Sequence, residues 1–567
     1  MTECTHHRLP GWITAAVATL LLLPSATPKA RAADNASFDA TASGSDSEQM
    51  LVERRAHRLK QAARPPEPPK VDQPTNNAID QFIVASWKQA GLDAAQKPPE
   101  LCDDATFARR VYLDVIGVIP TVLEMNRFKA DRSSEKRKRL VDQLLSRREE
   151  YAAHWTPFWE DALASQSVLG QGGIPTRGNY RQWLLESFEQ NRPFDVMTAE
   201  LIDPTMPGRH REKSEELIGT RYLIGYVRNE DHQVTLQTAA NVGQVFLGTS
   251  MKCASCHDHF ENTEWPQDRF LAFAGLFAPQ DLEHIRCDAR SGEFVPARFP
   301  FDLPGAPSQA PSVLNARLHL TAQLLTDPLN PRFSKTIVNR LWKRYLGLGL
   351  FEPIDDFRED SPASHPELLD WLAYDFMEHG CDLQHTIRLI LTSRTYQRQY
   401  DPELEDRYEI GQAAPRYYRS PSLRRLTAEQ AIDSLRLAMT GQLRTQERLF
   451  LDGRSTALMR ALGRPSSRNE ISTSRPNDVA VVQSLELLNG PELEELIQQY
   501  PLLVKLPRRI DHRRLVDQLY QTVLSRHATP DEKRLGKEFL EAAEPLSDGL
   551  HDMLWALVCS PEFQYIK

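Results

Sequence analysis

From Ala78 onward, apolar residues recur at three- and four-residue steps, the spacing of one face of an α-helix. In AIDQFIVASWKQAGL, Ile79, Phe82, Ile83, Trp87 and Ala90 share a side, and Gly91 is placed to stop the helix. FARRVYLDVIGVIPTVLEMNRFKA breaks at Pro120 and restarts with Thr121 and Glu124 in the positions of a capping box. KRKRLVDQLL turns Leu140, Leu144 and Leu145 inward and leaves a basic run, Lys136 to Arg139, as a solvated helix face. RFSKTIVNRLWKRYLGLGL sets Phe333, Ile337, Leu341 and Tyr345 at successive four-residue steps. In SHPELLDWLAYDFMEHG, Ser364 reads as the cap, Pro366 and Glu367 as the first turn, and Gly380 as the stop. Leu515, Leu519 and Val523 line another helix, followed by a start signal at Thr529, Pro530 and Glu532. The predicted fold class is mainly α: multi-helix domains with a short Pro-rich irregular insert between them.

The pattern fails in three places, and these divide the chain. At the amino terminus Arg8 precedes an apolar run, Trp12 to Leu23, then Pro24 and an Ala-x-Ala site at Ala30-Arg31-Ala32. This predicts a signal peptide over 1–32. The run is about twelve residues, short of the roughly 20 that span a bilayer. The expectation is therefore an exported protein, periplasmic or extracellular, with no transmembrane segment in the mature chain. Residues 33–77 are Pro- and Ser-rich, include ARPPEPPK, and read as a disordered linker. Residues 78–280 form a first helical module. A second irregular, Pro-rich linker over 281–312 leads to a helical module over 313–567.

Composition narrows the partners. The formal charge is −9 without a dense Lys/Arg stripe, which argues against nucleic acid. Of seven cysteines, Cys4 leaves with the signal, and Cys102, Cys381 and Cys559 suit small buried hydrophobes. Only Cys253 and Cys256 form a pattern, in Cys253-Ala254-Ser255-Cys256-His257. Two thiols three positions apart can reach the two vinyl groups of one porphyrin, and the adjacent imidazole can ligate its iron. Cys253 and Cys256 are thus candidate haem c attachment sites and His257 the candidate metal ligand.

Other chemistries fit the same residues. A bare metal ion could take Cys253, Cys256 and either His257 or His259. A disulfide could simply tie the turn. A thiol redox site lacks the βαβ context. His154, His210, His232, His284 and Met206 are the candidates for a sixth ligand, and nothing in the sequence selects among them. Before the motif, VTLQTAANVGQVFLG predicts a buried helix ending at Gly248; after it, RFLAFAGLFA predicts another. No Gly-x-Ser-x-Gly, His-Glu-x-x-His or phosphate-binding glycine loop is present, so no catalytic constellation emerges.

AIDQFIVASWKQAGL, RRVYLDVIGVIPT, LVDQLLSRREEYAAHW and the long VGQVFLGTSMKCASCHDHFENTEWPQDRFLAFAGLFA together resemble the planctomycete-type cytochrome-like module, domain of unknown function 1549. The stretch from LLTDPLNPRFSKTIVNRLWKRYLGLGL to LILTSRTYQRQ resembles its usual tandem partner, domain of unknown function 1553, and SLELLNG and LVCSPEF resemble its end. The resemblance implies an exported protein whose cytochrome label rests on Cys253, Cys256 and His257. Many relatives carry a further amino-terminal cytochrome-like domain where this chain has its Pro/Ser-rich stretch, and Phe260 stands where members often have Pro or Lys. The leading expectation is one covalent c-type haem serving electron transfer to an unknown redox partner. The other is an exported scaffold whose cysteine turn is a structural disulfide or metal site.

Overall fold

The helix Asp104–Ile116 is buried on nearly every face, from Phe107 to Ile116, because it runs between two cores. Phe107, Val111 and Val115 belong to the first, which draws residues from Ile79 to Tyr418. Leu113 belongs to the second, built from Leu426 to Ile566 together with Ile119. The helix also buries Arg109, Arg110 and Asp114, and each finds partners across the molecule. Arg109 donates to the carbonyls of Val523 (3.0 Å) and Phe563 (3.1 Å), and Arg110 to that of Arg398 (3.0 Å). Asp114 accepts two bonds of 2.7 Å from Arg424 and one of 2.7 Å from Tyr396. A buried charge is tolerated only with partners of this kind.

The computed structural model describes residues 44–92, 100–163, 180–206, 231–286, 289–358, 362–407, 415–449, 455–465, 471–475, 481–506 and 509–567. The signal-peptide reading over 1–32 lies outside the described residues. The rest belongs to one compact unit, Ser43–Lys567. Helices dominate it; the strands among the described residues make only two two-stranded antiparallel sheets. No helix among those residues is long and apolar enough to cross a membrane. The division between the two cores does not fall at the Pro-rich stretch, because Phe333, Ile337, Leu341 and Tyr345 pack into the first core alongside Phe82 and Trp155. Truncating one such aliphatic to alanine costs about 2–5 kcal/mol.

Local start signals carry over well. Thr121 with Glu124 and Thr529 with Glu532 form capping boxes, and Gly91 and Gly380 take positive φ just past their helices. The helix Pro366–Glu378 differs: its cap position is His365, and the Ser364 hydroxyl donates to the Leu350 carbonyl instead (3.1 Å). Tertiary packing takes the hydroxyl away from the cap.

Two stretches read as irregular carry structure. Within 33–77 lies the helix Gly44–Leu59. Arg55 pairs with buried Asp195, and Arg54 (3.2 Å) and Arg58 (2.8 Å) converge on buried Asp327. The segment is polar in composition, and it is ordered by carboxylates some 140 to 273 residues away. The stretch 281–312 opens with a hairpin, Leu282–Arg286 against Ala289–Val295. Its Pro-rich remainder is pinned by Phe299 and Leu303, both buried, and by the Arg298 N–H bonding to the Ala272 carbonyl (2.9 Å).

Candidate functional site

The cysteine turn is built on the end of the helix Asp231–Leu247. Gly248 closes that helix at φ +63°, where a Cβ would lie 2.7 Å from the Phe357 ring and 2.8 Å from the Thr336 hydroxyl. Only glycine combines that conformation with that approach. The chain then runs beside residues 355–357: the Phe357 N–H bonds to the Gly248 carbonyl (2.9 Å) and the Ser250 N–H to the Asp355 carbonyl (2.7 Å). Met251 is buried, so the turn leaves the core as a single 3-10 coil, Lys252–Ser255.

Within the coil Ala254 points inward and is fully buried, which leaves Cys253 and Cys256 on either side of it exposed. Both are free thiols. His257 is exposed as well. Its Nδ1 donates to the Asp258 carbonyl (2.7 Å), so Nδ1 carries a proton, and in the neutral ring the lone pair is on Nε2. Phe260, 81% exposed, lies with its ring centroid 4.1 Å from the imidazole.

The remaining polar residues hold the turn. Asp258 Oδ1 accepts the Gln267 N–H (2.8 Å) at the start of the helix Gln267–Ala274, and Gln267 returns a bond to the Ser255 carbonyl (3.3 Å). His259 uses both ring nitrogens. Nε2 donates to the Ser250 carbonyl (3.0 Å), and Nδ1 accepts the N–H groups of Glu261 (3.2 Å) and Asn262 (3.0 Å). It is a bracket for the loop, not an open ligand. Trp265 is buried below with the Arg269 guanidinium 4.8 Å over its ring.

The three chemistries ask different things of these residues. The free thiols form no disulfide. Among the described residues, the group of three ligands that gathers within metal-binding reach is Asp375, His379 and His385, not the cysteine motif. Haem attachment asks for something different: two reachable thiols and one imidazole with Nε2 available and Nδ1–H held by an acceptor. Those requirements fit the residues present.

The sixth-ligand candidates scatter. Met206 is buried in the first core. His154 is buried and accepts a bond from Arg344 (3.0 Å). His284 pairs with Asp268 (3.3 Å). His210 and the side chain of His232 lie outside the described residues. Cys102 and Cys381 are buried and Cys559 half-buried, as small hydrophobes are.

What the sequence analysis missed is a charged cavity of about 170 Å³ bordered by Asp114, His154, Arg344, Arg424, Arg448 and Arg475. Its residues come from segments too far apart for any spacing rule to join them.

Two family models match: PSCyt2, a protein of unknown function (DUF1549), over residues 78–281, and PSD1, a protein of unknown function (DUF1553), over residues 316–455. No curated protein and no solved structure shows significant similarity to the chain. The chain carries a DUF1549 module and a DUF1553 module in tandem, the first containing the whole cysteine turn.

Proposed function

We propose that the protein is an exported carrier of one covalent c-type haem, held by Cys253 and Cys256 and ligated by His257, that passes single electrons to a redox partner. The observation that carries this reading is the bond from His257 Nδ1 to the Asp258 carbonyl, which fixes the tautomer and leaves Nε2 free beside two exposed thiols. A bound haem supplies a one-electron couple. The chain's own residues set its seat: Ala254 anchors the coil, His259 and Asp258 brace the loop, and exposed Phe260 offers an apolar surface beside the imidazole. Export through the amino-terminal signal belongs to the same reading, because thioether attachment is completed outside the cytoplasmic membrane.

The test is the full chain expressed in a host that matures c-type cytochromes. The processed protein gains the mass of one haem and shows a reducible Soret and α band, and the Cys253→Ala/Cys256→Ala variant loses both. A colourless product with the mass of the bare polypeptide overturns the proposal and leaves an exported scaffold or interaction protein.

A further inference from the structure

Where the helix Asp104–Ile116, the helix Arg148–Ala162 and the helix Phe333–Leu346 meet the strand Arg424–Arg425, the two cores leave a cavity of about 170 Å³. It is crowded with cations, and nearly all have a carboxylate. Arg424 is held by Asp114 through two bonds of 2.7 Å. Arg448 is held by Asp433 (2.7 Å), and Arg475 by Asp161 and Glu429 (2.6 Å each). Arg340 pairs with Asp355 (2.9 Å) and Lys343 with Glu352 (3.0 Å).

Arg344 is different. Its guanidinium lies over Trp155 (4.7 Å) and Phe158 (4.9 Å), and Nη2 donates to His154 Nε2 (3.0 Å). It has no carboxylate partner among the described residues. His154 cannot neutralise it: burial, then the Arg344 and Arg448 charges, hold the imidazole pKa well below its ordinary value, so the ring is uncharged. The ring is placed by design of the backbone. Gly117 sits at φ +75° where a Cβ would come within 2.3 Å of His154 Nδ1. The fold therefore holds a guanidinium with aromatic faces on its plane and, among the described residues, no carboxylate at ion-pair distance from its edge, Asp114 acting on it only from further off.

A guanidinium in such surroundings is the usual recognition element for a planar or tetrahedral oxyanion, which it binds through two parallel N–H donors. Arg344 is partly exposed, and an oxyanion bound at its edge supplies the ion pair that Arg424, Arg448 and Arg475 already have. The volume exceeds what one oxyanion group fills, and Pro157, Ile354, Leu426 and Leu462 give the rest an apolar wall. We propose that this cavity binds a small organic anion, a carboxylate or a sulfate or phosphate ester, with its oxyanion on Arg344 and a compact body against the apolar wall.

The proposal does not depend on haem and is tested on the full chain by titration with sodium phosphate, sulfate and acetate, each at an ionic strength held constant with chloride. At least one gives a saturable one-to-one response and raises the thermal midpoint by about 1 °C at ten times its half-saturating concentration. The best of the three identifies the head group. Arg344→Met abolishes the response, Arg344→Lys weakens it at least tenfold, and Arg388→Gln, which loses only a surface pair with Asp142, leaves it intact. Should Arg344→Met not fold, wild-type protein decides: the anion must slow phenylglyoxal modification of Arg344, read by peptide mass. No saturable response to any of the three anions, an unchanged response in Arg344→Met, or no protection of Arg344 overturns the assignment.

Discussion

The cysteine turn and the arginine-lined cavity are both rich in reactive groups, yet they are assembled by opposite means. The turn is contiguous. Residues 248 to 267 supply its thiols, its imidazole and most of its bracing bonds, and the tertiary structure adds a backbone strut at 355–357. Its reactive atoms face solvent. The cavity is discontinuous: Asp114, His154, Arg344, Arg424 and Arg475 come from five separate segments, and their charges are mostly spent on one another. Solvent supports exposed groups for nothing, whereas interior ones must be balanced by their neighbours. The two regions are joined through Asp355, whose carboxylate holds Arg340 at the cavity while its carbonyl holds Ser250 at the turn.

This contrast predicts that equal chemical damage has unequal cost. The largest effect belongs to the cavity wall. Asp114→Ala removes the buried carboxylate that pairs with Arg424 and accepts the Tyr396 hydroxyl, and destabilisation of about 3–5 kcal/mol is expected in reversible denaturant unfolding. A loss under 1 kcal/mol would mean water reaches the pair and would break the distinction drawn here.

Next comes the pH response. Because the native state refuses a proton that His154 accepts when unfolded, the unfolded state binds more protons below about pH 6.5, and stability falls with acidification. One such group contributes at most about 1.4 kcal/mol per pH unit. His365 adds to it over the window from about 6.5 down to about 4, its folded value being lowered to about 4 by burial and by Arg416. His154→Gln should flatten the slope by up to one proton between pH 6.5 and 5. Identical slopes in wild type and His154→Gln would show the ring to be solvated.

The smallest effect sharpens the comparison from the other side. In haem-free protein, Cys253→Ala/Cys256→Ala should shift stability by no more than about 0.5 kcal/mol, since both thiols are exposed and Ala254 carries the packing. A cost above 1 kcal/mol would mean that the cysteines themselves hold the turn, and the case for their being kept for chemistry would fall.

Much of the architecture was legible beforehand. Capping boxes at Thr121 and Thr529 and the inward row Phe333, Ile337, Leu341, Tyr345 are short-range signals, and each stands where the periodicity put it. The helix Gly44–Leu59 was not legible. Its composition is polar, and what orders it are Asp195 and Asp327, whose nearness no local window contains. The Ser364 cap misled for a related reason, since its hydroxyl is claimed by Leu350 across a turn.

By itself the sequence determined a mainly helical chain and a five-residue motif whose thiols and imidazole are neighbours wherever the chain goes, because covalent spacing and helical period act over a few residues. Only the tertiary structure decided that His257 presents Nε2 while His259 is spent, that one helix serves two cores, and that Arg344, among the described residues, stands in its cavity with no carboxylate at ion-pair distance. Those outcomes depend on which distant atoms fill the space around a group, and close packing settles that for the whole molecule at once.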